Sequence, residues 1–183
     1  MACALAELTD KGVEALSLRA VGQRAGLTPM AVYRHFDGKD DLLRALGHEA
    51  FHTWRERIAA LEGLQGRDWF VAAGTASVDF AFDAPALYDA AFILRTGVER
   101  IYPEDFRAGK SPVISQFATR LAEGQDAGWV RAGDPLELAM GVWGVLHGLI
   151  VLHRSGRFNM ARADFTALCL RQAARICVTG DMS

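Results

Sequence analysis

Apolar residues recur along this chain at helical spacing, and no segment shows the strict alternation that predicts a strand. The pattern is tightest at residues 17–36, where two short helices are predicted on either side of a turn. Ser17 is placed to N-cap the first helix, and Gly26 to end it in the left-handed conformation. Thr28 caps the second helix, and Pro29 occupies its first position, where no N–H is needed. Such a pair of helices is a helix-turn-helix, whose second helix enters the major groove of DNA.

The positive charge of the N-terminal region is concentrated in this segment. Between residues 16 and 36 there is no Asp or Glu. Basic side chains occur there at Arg19, Arg24, Arg34 and His35. Over residues 1–50 as a whole, six Lys and Arg stand against seven Asp and Glu, so the positive face is local. A local positive face is what phosphate binding requires, and a plain helical hairpin without a DNA partner is the alternative.

Seven further helices are predicted from the same periodicity. They cover residues 2–11, 39–61, 67–82, 86–95, 113–125, 135–154 and 161–178. The helix at 39–61 carries a clear amphipathic stripe, made by Leu42, Leu43, Leu46, Ala50, Trp54 and Ile58. Residues 96–112, with two prolines and two glycines, are predicted to be mainly loop. The fold class is therefore all-α, with an N-terminal three-helix head at 1–46 and a helical body at 47–183.

The overall composition is that of a folded protein without a general affinity for polyanions. Of the 183 residues, 51% are hydrophobic and 23% charged, and the net charge is −2. The longest uncharged apolar run, residues 138–152, has 15 residues, which is short of a membrane span. Cys3, Cys169 and Cys177 form no disulfide or metal-binding pattern, and no signal peptide is predicted. We therefore expect a cytoplasmic protein with reduced cysteines, no membrane association, and no metal or cofactor.

The segment LTPMAVYRHFDGKDDLL, residues 27–43, resembles the recognition-helix signature of TetR-type transcriptional regulators. A weaker resemblance, over GVWGVLHGLIVLHRSGRF at 141–158, is to the Trp-x-x-x-His-Gly helix of a ligand domain called WHG. The resemblance implies a homodimeric repressor that binds a pseudo-palindromic operator and is released by a small-molecule effector. It also implies that the effector moves the connecting helix, 39–61, and so changes the spacing of the two heads.

The resemblance assigns DNA contacts to ten residues of the head. They are Ser17, Arg19, Thr28, Pro29, Met30, Ala31, Tyr33, Arg34, His35 and Lys39. Pro29 and its neighbours Met30 and Ala31 would face bases together with Arg34. Arg34 and Arg19 suit guanine, because a guanidinium can bond O6 and N7 together. Met30 and Ala31 can contact only apolar groups such as the thymine methyl.

The phosphate contacts implied by the resemblance come from the same short segment. Tyr33, His35 and Lys39 are assigned to phosphates. Thr28, at the start of the second helix, can hold a phosphate near the positive end of the helix dipole. The remaining apolar residues of the motif are predicted to hold its two helices together: Leu27, Val32 and Phe36.

A cavity between the helices of the body is expected to hold the effector. Its candidate lining residues are Trp69, Phe80, Tyr88, Phe92, Phe117, Trp143 and His147. Trp143 and His147 are four residues apart and share a helix face. Ordinary core packing is the alternative for each of these side chains, and the sequence does not separate the two. The scarcity of charged candidates in the body favours a largely apolar effector.

The last two long helices, at about 134–154 and 161–178, are the dimer interface that the resemblance implies. Gly141, Gly144 and Gly148 recur in the first of them. Each glycine destabilises a helix by about 1 kcal/mol relative to alanine, so a compensating close approach by another helix is expected. A tight contact inside one chain is the alternative.

One motif points to a different class of protein. The segment His48-Glu49-x-x-His52 matches the zinc-peptidase pattern and lies on a predicted helix, where both histidines share a face. A catalytic zinc needs a third protein ligand, and only Glu56 and Glu62 follow nearby, at no zinc-peptidase spacing. Solvated polar side chains are the preferred interpretation, so no enzyme activity is predicted. A zinc hydrolase remains the alternative function, and a protein-interaction module is a third.

Overall fold

The structure, a computed structural model, describes residues 1–180, and these form ten helices. In chain order they are α1 (Ala2–Ala15), α2 (Leu18–Ala25), α3 (Pro29–Tyr33), α4 (Lys39–Ala59), α5 (Gly66–Asp83), α6 (Pro85–Phe92), α7 (Glu104–Arg107), α8 (Pro112–Asp126), α9 (Pro135–Arg154) and α10 (Arg162–Cys177). Within residues 1–180 there is no β-sheet, and the extended pairing is limited to an antiparallel bridge between Val130 and Val178. The predicted all-α fold class is confirmed.

Local hydrogen bonds set the ends of α2 and the start of α3, as predicted. The Ser17 hydroxyl accepts from the N–H of Ala20 at 3.2 Å, and the Thr28 hydroxyl accepts from that of Ala31 at 3.3 Å. Gly26 ends α2 with φ of +66°, a conformation that glycine adopts without steric cost. The turn between the two helices is therefore encoded by residues within it.

Two helices of the head differ in length from the prediction. α1 continues past the expected end to Ala15, with Gly12 at φ +76° forming a kink inside it. α3 ends at Tyr33, three residues earlier than predicted. The chain there tightens into a turn, because the N–H of His35 bonds the carbonyl of Val32 three residues back, at 3.0 Å.

The body agrees with the prediction except at the end of α6. This helix ends at Phe92, three residues early, because the N–H groups of Ile93 and Leu94 both return to the carbonyl of Asp89, at 2.9 and 2.8 Å. The other predicted helices, from α4 onward, agree within two residues at each end. The expected loop at 96–112 holds a single helical turn, α7.

The chain divides into two compact units. The N-terminal unit comprises residues 1–54 and 80–99, and the C-terminal unit comprises residues 55–79 and the described residues from 100 onward. The predicted stripe of α4 is buried in full: Leu42, Leu43, Leu46, Ala50, Trp54 and Ile58. The division of function at residue 46 stays a prediction, since compactness alone does not test it.

An aromatic cluster forms much of the core of the N-terminal unit. Trp54 on α4 stacks on Phe80, with ring centroids 5.4 Å apart. Phe80 in turn meets Tyr88 edge to face at 6.0 Å, and Tyr88 meets Phe92 at 5.0 Å. Phe51 completes the cluster, with its ring edge-on to Phe92 at 6.0 Å. The end of α5 and all of α6 are thereby packed against α4.

The segment after α6 packs equally closely on α4 at Gly47. A β-carbon built at Gly47 would lie 2.5 Å from the Thr96 hydroxyl oxygen and 2.6 Å from Cγ2 of Val98. Thr96 and Val98 are both buried, and the carboxylate of Glu99 accepts the N–H of Gly97 at 3.0 Å, which closes the turn. These backbone hydrogen bonds lower the pKa of Glu99 in spite of the partial desolvation that raises it.

In the C-terminal unit, α9 lies between α8 and α10 and supplies the central core residues. Its inward side chains are Leu138, Ala139, Val142, Leu146 and Ile150. Cys169 and Cys177 on α10 are buried, as expected, and burial raises the pKa of each thiol to about 11. Both thiols are therefore protonated at neutral pH and behave as small apolar groups.

α9 is also the one helix of residues 1–180 that is long and apolar enough to cross a membrane. Length and composition are weak evidence of a span, because the core helix of a soluble protein meets the same criterion. In this chain α9 is such a core helix on one face, with Leu146 and Ile150 nearly inaccessible. Its other face is more open, with Val151 and Leu152 exposed.

Candidate nucleic-acid interface

The geometry of the helix-turn-helix depends on a close approach between α2 and α3. A β-carbon at Gly22 would lie 2.9 Å from Cγ2 of Val32, so glycine lets the two helices meet. Val32, Leu18 and Val21 are buried at this contact, which confirms the predicted role of Val32. Gly22 was not singled out in the sequence, although a glycine inside a helical pattern is a signal of such an approach.

The turn between α2 and α3 is closed by paired backbone hydrogen bonds. The N–H of Leu27 donates to the carbonyl of Gly22 at 2.9 Å, and that of Gly26 donates to Gln23 at 3.3 Å. This is a Schellman motif, which ends a helix and turns the chain sharply. It fixes the direction in which α3 leaves the turn.

Most of the predicted DNA-binding side chains lie on the surface. The exposed ones are Arg19, Thr28, Met30, Tyr33, Arg34 and His35. Ser17 and Ala31 are half-buried. Ser17 is the N-cap of α2, and the N–H of Ala31 donates to the N-cap of α3, Thr28. The side chain of Pro29 lies outside the described part of the chain. The exposed set is accessible to a DNA duplex, and its role in binding stays a prediction.

Arg24, which the sequence placed on the positive face, is exposed as well, but it is held in ion pairs with α1. Its guanidinium bonds Asp10 at 2.7 Å and Glu7 at 3.2 Å, both on α1. Lys11 also pairs with Glu7, and its hydrogen bond is the main cause of the lowered pKa of that carboxyl. Arg24 therefore joins α2 to α1, and the positive face consists of Arg19, Arg34 and His35 without it.

Lys39 has a structural partner as well as its predicted phosphate. Its ammonium donates to the carbonyl of Val13 at 2.7 Å and to that of Glu14 at 3.4 Å. Both carbonyls belong to the last turn of α1, where helical partners run out. Lys39 thus ties the start of α4 to the end of α1. An ammonium has three N–H donors, so one remains for a phosphate.

Leu27 corrects the predicted core of the motif. It was expected to hold the two helices together with Val32 and Phe36, but 50% of its surface is exposed. The reason is the Schellman turn: the backbone of Leu27 bonds inward to Gly22, and Val32 already fills the contact between the helices. Phe36 is half-buried.

The seven candidate effector-binding residues fall into three groups. Phe80, Tyr88 and Phe92 are part of the aromatic cluster of the N-terminal unit. Trp69 and Phe117 form an edge-to-face pair in the C-terminal unit, with centroids 4.8 Å apart. A third group, on α9, is a half-buried pair with centroids 5.8 Å apart, Trp143 and His147.

The indole of Trp69 and the imidazole of His147 are polar groups in a largely apolar environment. Trp69 is 1% exposed, and its indole N–H has no hydrogen-bond partner among residues 1–180. The Arg120 guanidinium lies over the ring of Trp69, 5.6 Å from its centroid. Burial lowers the pKa of His147, and the charge of Arg154 adds to the effect.

The zinc-binding alternative finds no support in the geometry. His48, Glu49 and His52 lie on the exposed side of α4. Among the described residues no group of three His, Cys, Asp or Glu side chains is placed to hold a metal ion. Two histidines alone do not make a catalytic zinc site.

Comparisons with known proteins cover both halves of the chain. The family model for bacterial regulatory proteins of the tetR family matches residues 1–46, and that for the tetracyclin repressor-like C-terminal domain matches residues 70–176. An uncharacterized HTH-type transcriptional regulator, Rv0681 of Mycobacterium tuberculosis, is 26% identical over 177 residues, covering 93% of this chain and 77% of the relative.

Solved structures show the same fold. A protein of unknown function from Rhodococcus sp. RHA1 matches with a TM-score of 0.76 and 24% identity, over 95% of this chain and 91% of that one. The complex of SmeT with triclosan matches with a TM-score of 0.70 and 19% identity, over 97% and 88% of the two chains. At these identities the likeness is one of fold.

Proposed function

Because this chain belongs to the TetR family of bacterial transcriptional regulators, we propose that it is a homodimeric repressor released by a small, largely apolar effector. It is a DNA-binding transcriptional regulator and not an enzyme. The head, residues 1–46, is proposed to bind the operator, and the body, residues 47–183, to dimerise and bind the effector. The site of action is proposed to be the cytoplasm, without membrane association.

The single observation that supports operator binding best is the surface of the helix-turn-helix. Arg19, Arg34 and His35 are exposed there, and no acidic residue occurs between residues 16 and 36. We assign base contacts to Arg34, with Arg19 approaching from the preceding helix. Two-fold symmetry would place two copies of α3 in successive major grooves, about 34–36 Å apart on one side of the duplex.

The proposed dimer interface is the open face of α9 together with α10. Gly141 is explained within the chain, because a β-carbon there would lie 2.9 Å from Cγ2 of Ile176 on α10. Gly144 and Gly148 are not explained in this way, since no atom of the described part of the chain lies within 4 Å of their β-carbon positions. Two helix-destabilising residues beside open space favour the close approach of a second copy of α9.

The proposed effector is small and mostly apolar. The SmeT structure of the same fold contains triclosan, an apolar phenol, which supports this class of ligand. The candidate contacts are Trp69, Phe80, Tyr88, Phe92, Phe117, Trp143 and His147. The effector must bind more tightly to the state in which the heads are spaced wrongly for DNA than to the DNA-binding state, since equal affinity for both states would not shift the equilibrium. Movement of α4 is the proposed route, because α4 begins in the head and continues into the body.

Selection of bound duplexes from a random DNA pool tests the proposed function. We expect enrichment of a site with two inverted half-sites about one helical turn apart. Binding to that site should weaken steeply with salt, because phosphate contacts release counterions. A pool that shows no enrichment would contradict the operator-binding function.

Arg34→Ala is expected to weaken operator binding about 5-fold to 150-fold for each half-site, because a bidentate arginine–guanine contact is worth about 1–3 kcal/mol. Titration of the selected duplex, followed by fluorescence anisotropy, measures the change. Arg44→Ala is the matched control, since Arg44 is an exposed arginine of α4 that pairs with Asp41 at 3.1 Å. If both variants lose affinity equally, Arg34 acts only through overall charge and reads no base.

A further inference from the structure

Two large apolar side chains lie on the surface at the start of α3. Met30 is 68% exposed and Leu27 is 50% exposed. Neither contributes much to the core, because Val32 and Gly22 make the contact between α2 and α3. Exposed apolar surface of this size gains about 25 cal/mol for each Å² that a partner covers. The position of these side chains therefore indicates a partner with apolar groups of its own.

The charges around the two side chains indicate that the partner is negatively charged. Arg19 and Arg34 are exposed on the same helix-turn-helix, and the segment has no carboxylate between residues 16 and 36. A polyanion fits this surface. The apolar groups that duplex DNA presents in its major groove are the C5 methyl groups of thymine.

We propose that Leu27 reads a thymine methyl group in each half-site of the operator, beside the thymine methyl contact already expected of Met30. The proposal rests on the proposed function and extends it, since it names what the DNA must present. It also adds Leu27, which the sequence placed in the core, to the residues that determine specificity. Thymine at these steps is distinguished from cytosine, because cytosine has no methyl group and offers an amino donor instead of an acceptor.

Uracil substitution in the selected operator isolates the methyl group. Deoxyuridine keeps the base pairing and the O4 acceptor of thymine and lacks only the methyl. Replacing the thymines of a half-site one at a time is expected to weaken binding about fourfold at one or two positions, the value of one buried methyl group. At the other positions no change is expected.

The two side chains are then linked to those positions by a double-mutant cycle. In Leu27→Ala or Met30→Ala, binding to the thymine operator should fall, and the uracil effect at the matching position should disappear. Leu64→Ala is the matched control, because Leu64 is 39% exposed and belongs to the C-terminal unit. It should leave the uracil effect unchanged. Circular dichroism is expected to show that all three variants are folded.

The outcomes separate this proposal from the function on which it rests. Specific operator binding that is insensitive to uracil at every position would overturn the methyl readout and leave the regulator function standing. A uracil effect that persists unchanged in both variants would overturn it as well. Failure to select any operator would overturn both the methyl readout and the operator-binding function. The exposed side chains would then be explained by contact with an acidic protein partner.

Discussion

Gly47→Val is expected to lower the free energy of unfolding by about 2–3 kcal/mol, the effect of overpacking a close-packed core. The first carbon of any side chain at Gly47 would lie 2.5 Å from the Thr96 hydroxyl oxygen and 2.8 Å from Thr96 Cβ. The Thr96 hydroxyl donates to Glu99 within the same turn, so relief of the clash requires the whole turn to move, together with the buried side chain of Val98. The loss should appear as a lower midpoint in urea or thermal denaturation.

Gly38→Ala is the matched control for this substitution. Gly38 lies just before α4 in the same unit, nothing is within 4 Å of its β-carbon position, and its φ is not positive. We expect a change of less than about 0.5 kcal/mol. If Gly47→Val were as stable as the unchanged protein, the segment after α6 would not be packed on α4 as described.

If the proposed dimer forms through α9, replacing both Gly144 and Gly148 by leucine is expected to convert it to a monomer. A β-carbon at either position would meet no other described atom of the same chain within 4 Å, but a leucine there would block a second helix at close distance. Operator affinity should then fall at least about a hundredfold, because the two heads no longer bind as one linked pair. Analytical ultracentrifugation and operator titration measure the two effects.

The control for the double variant is Gly63→Leu, where the β-carbon position is also open and φ is not positive. It should remain a dimer. The double variant should stay folded, because leucine has a higher helix propensity than glycine by about 0.8 kcal/mol at each site. A double variant that sediments as a dimer would show that α9 does not cross its partner at these glycines.

Local chemistry made the helices and their ends predictable. Ser17, Gly26 and Thr28 act on backbone groups three or four residues away, so their roles can be read within a short window. The stripe of α4 is similarly a property of one segment. The TetR family was recognisable because the helix-turn-helix concentrates such local signals between residues 17 and 43.

The interactions that the sequence did not predict join residues far apart in the chain. Arg24 pairs with Asp10, 14 residues away, and Lys39 bonds Val13, 26 residues away. Gly47 meets Thr96 across an even longer separation. Hydrophobic periodicity cannot indicate which distant residue will form an ion pair or hydrogen bond with a charged side chain. The sequence therefore counted Arg24 in the positive face of the helix-turn-helix, whereas in the structure its guanidinium pairs with carboxylates of α1.

For the candidate effector-binding residues, too, the sequence predicts orientation but not the neighbours from other helices. Periodicity predicted that Trp69 and Phe117 face inward, and they do. Whether an inward aromatic belongs to a wall or to a packed core depends on its neighbours from other helices. Trp69 stands out by its buried N–H, which has no hydrogen-bond partner among the residues that the structure describes, and no local pattern predicts that.

The helix-turn-helix keeps its structural frame and its predicted DNA-binding residues at different positions, and this bears on how such regulators diverge. Gly22 and Val32 set the packing of the two helices, whereas Leu27, Met30 and Arg34 lie on the surface. Substitutions at the exposed positions change little of the folded core. After gene duplication, a copy of this regulator can therefore acquire a new operator in single steps, each of which leaves a stable protein for selection to act on.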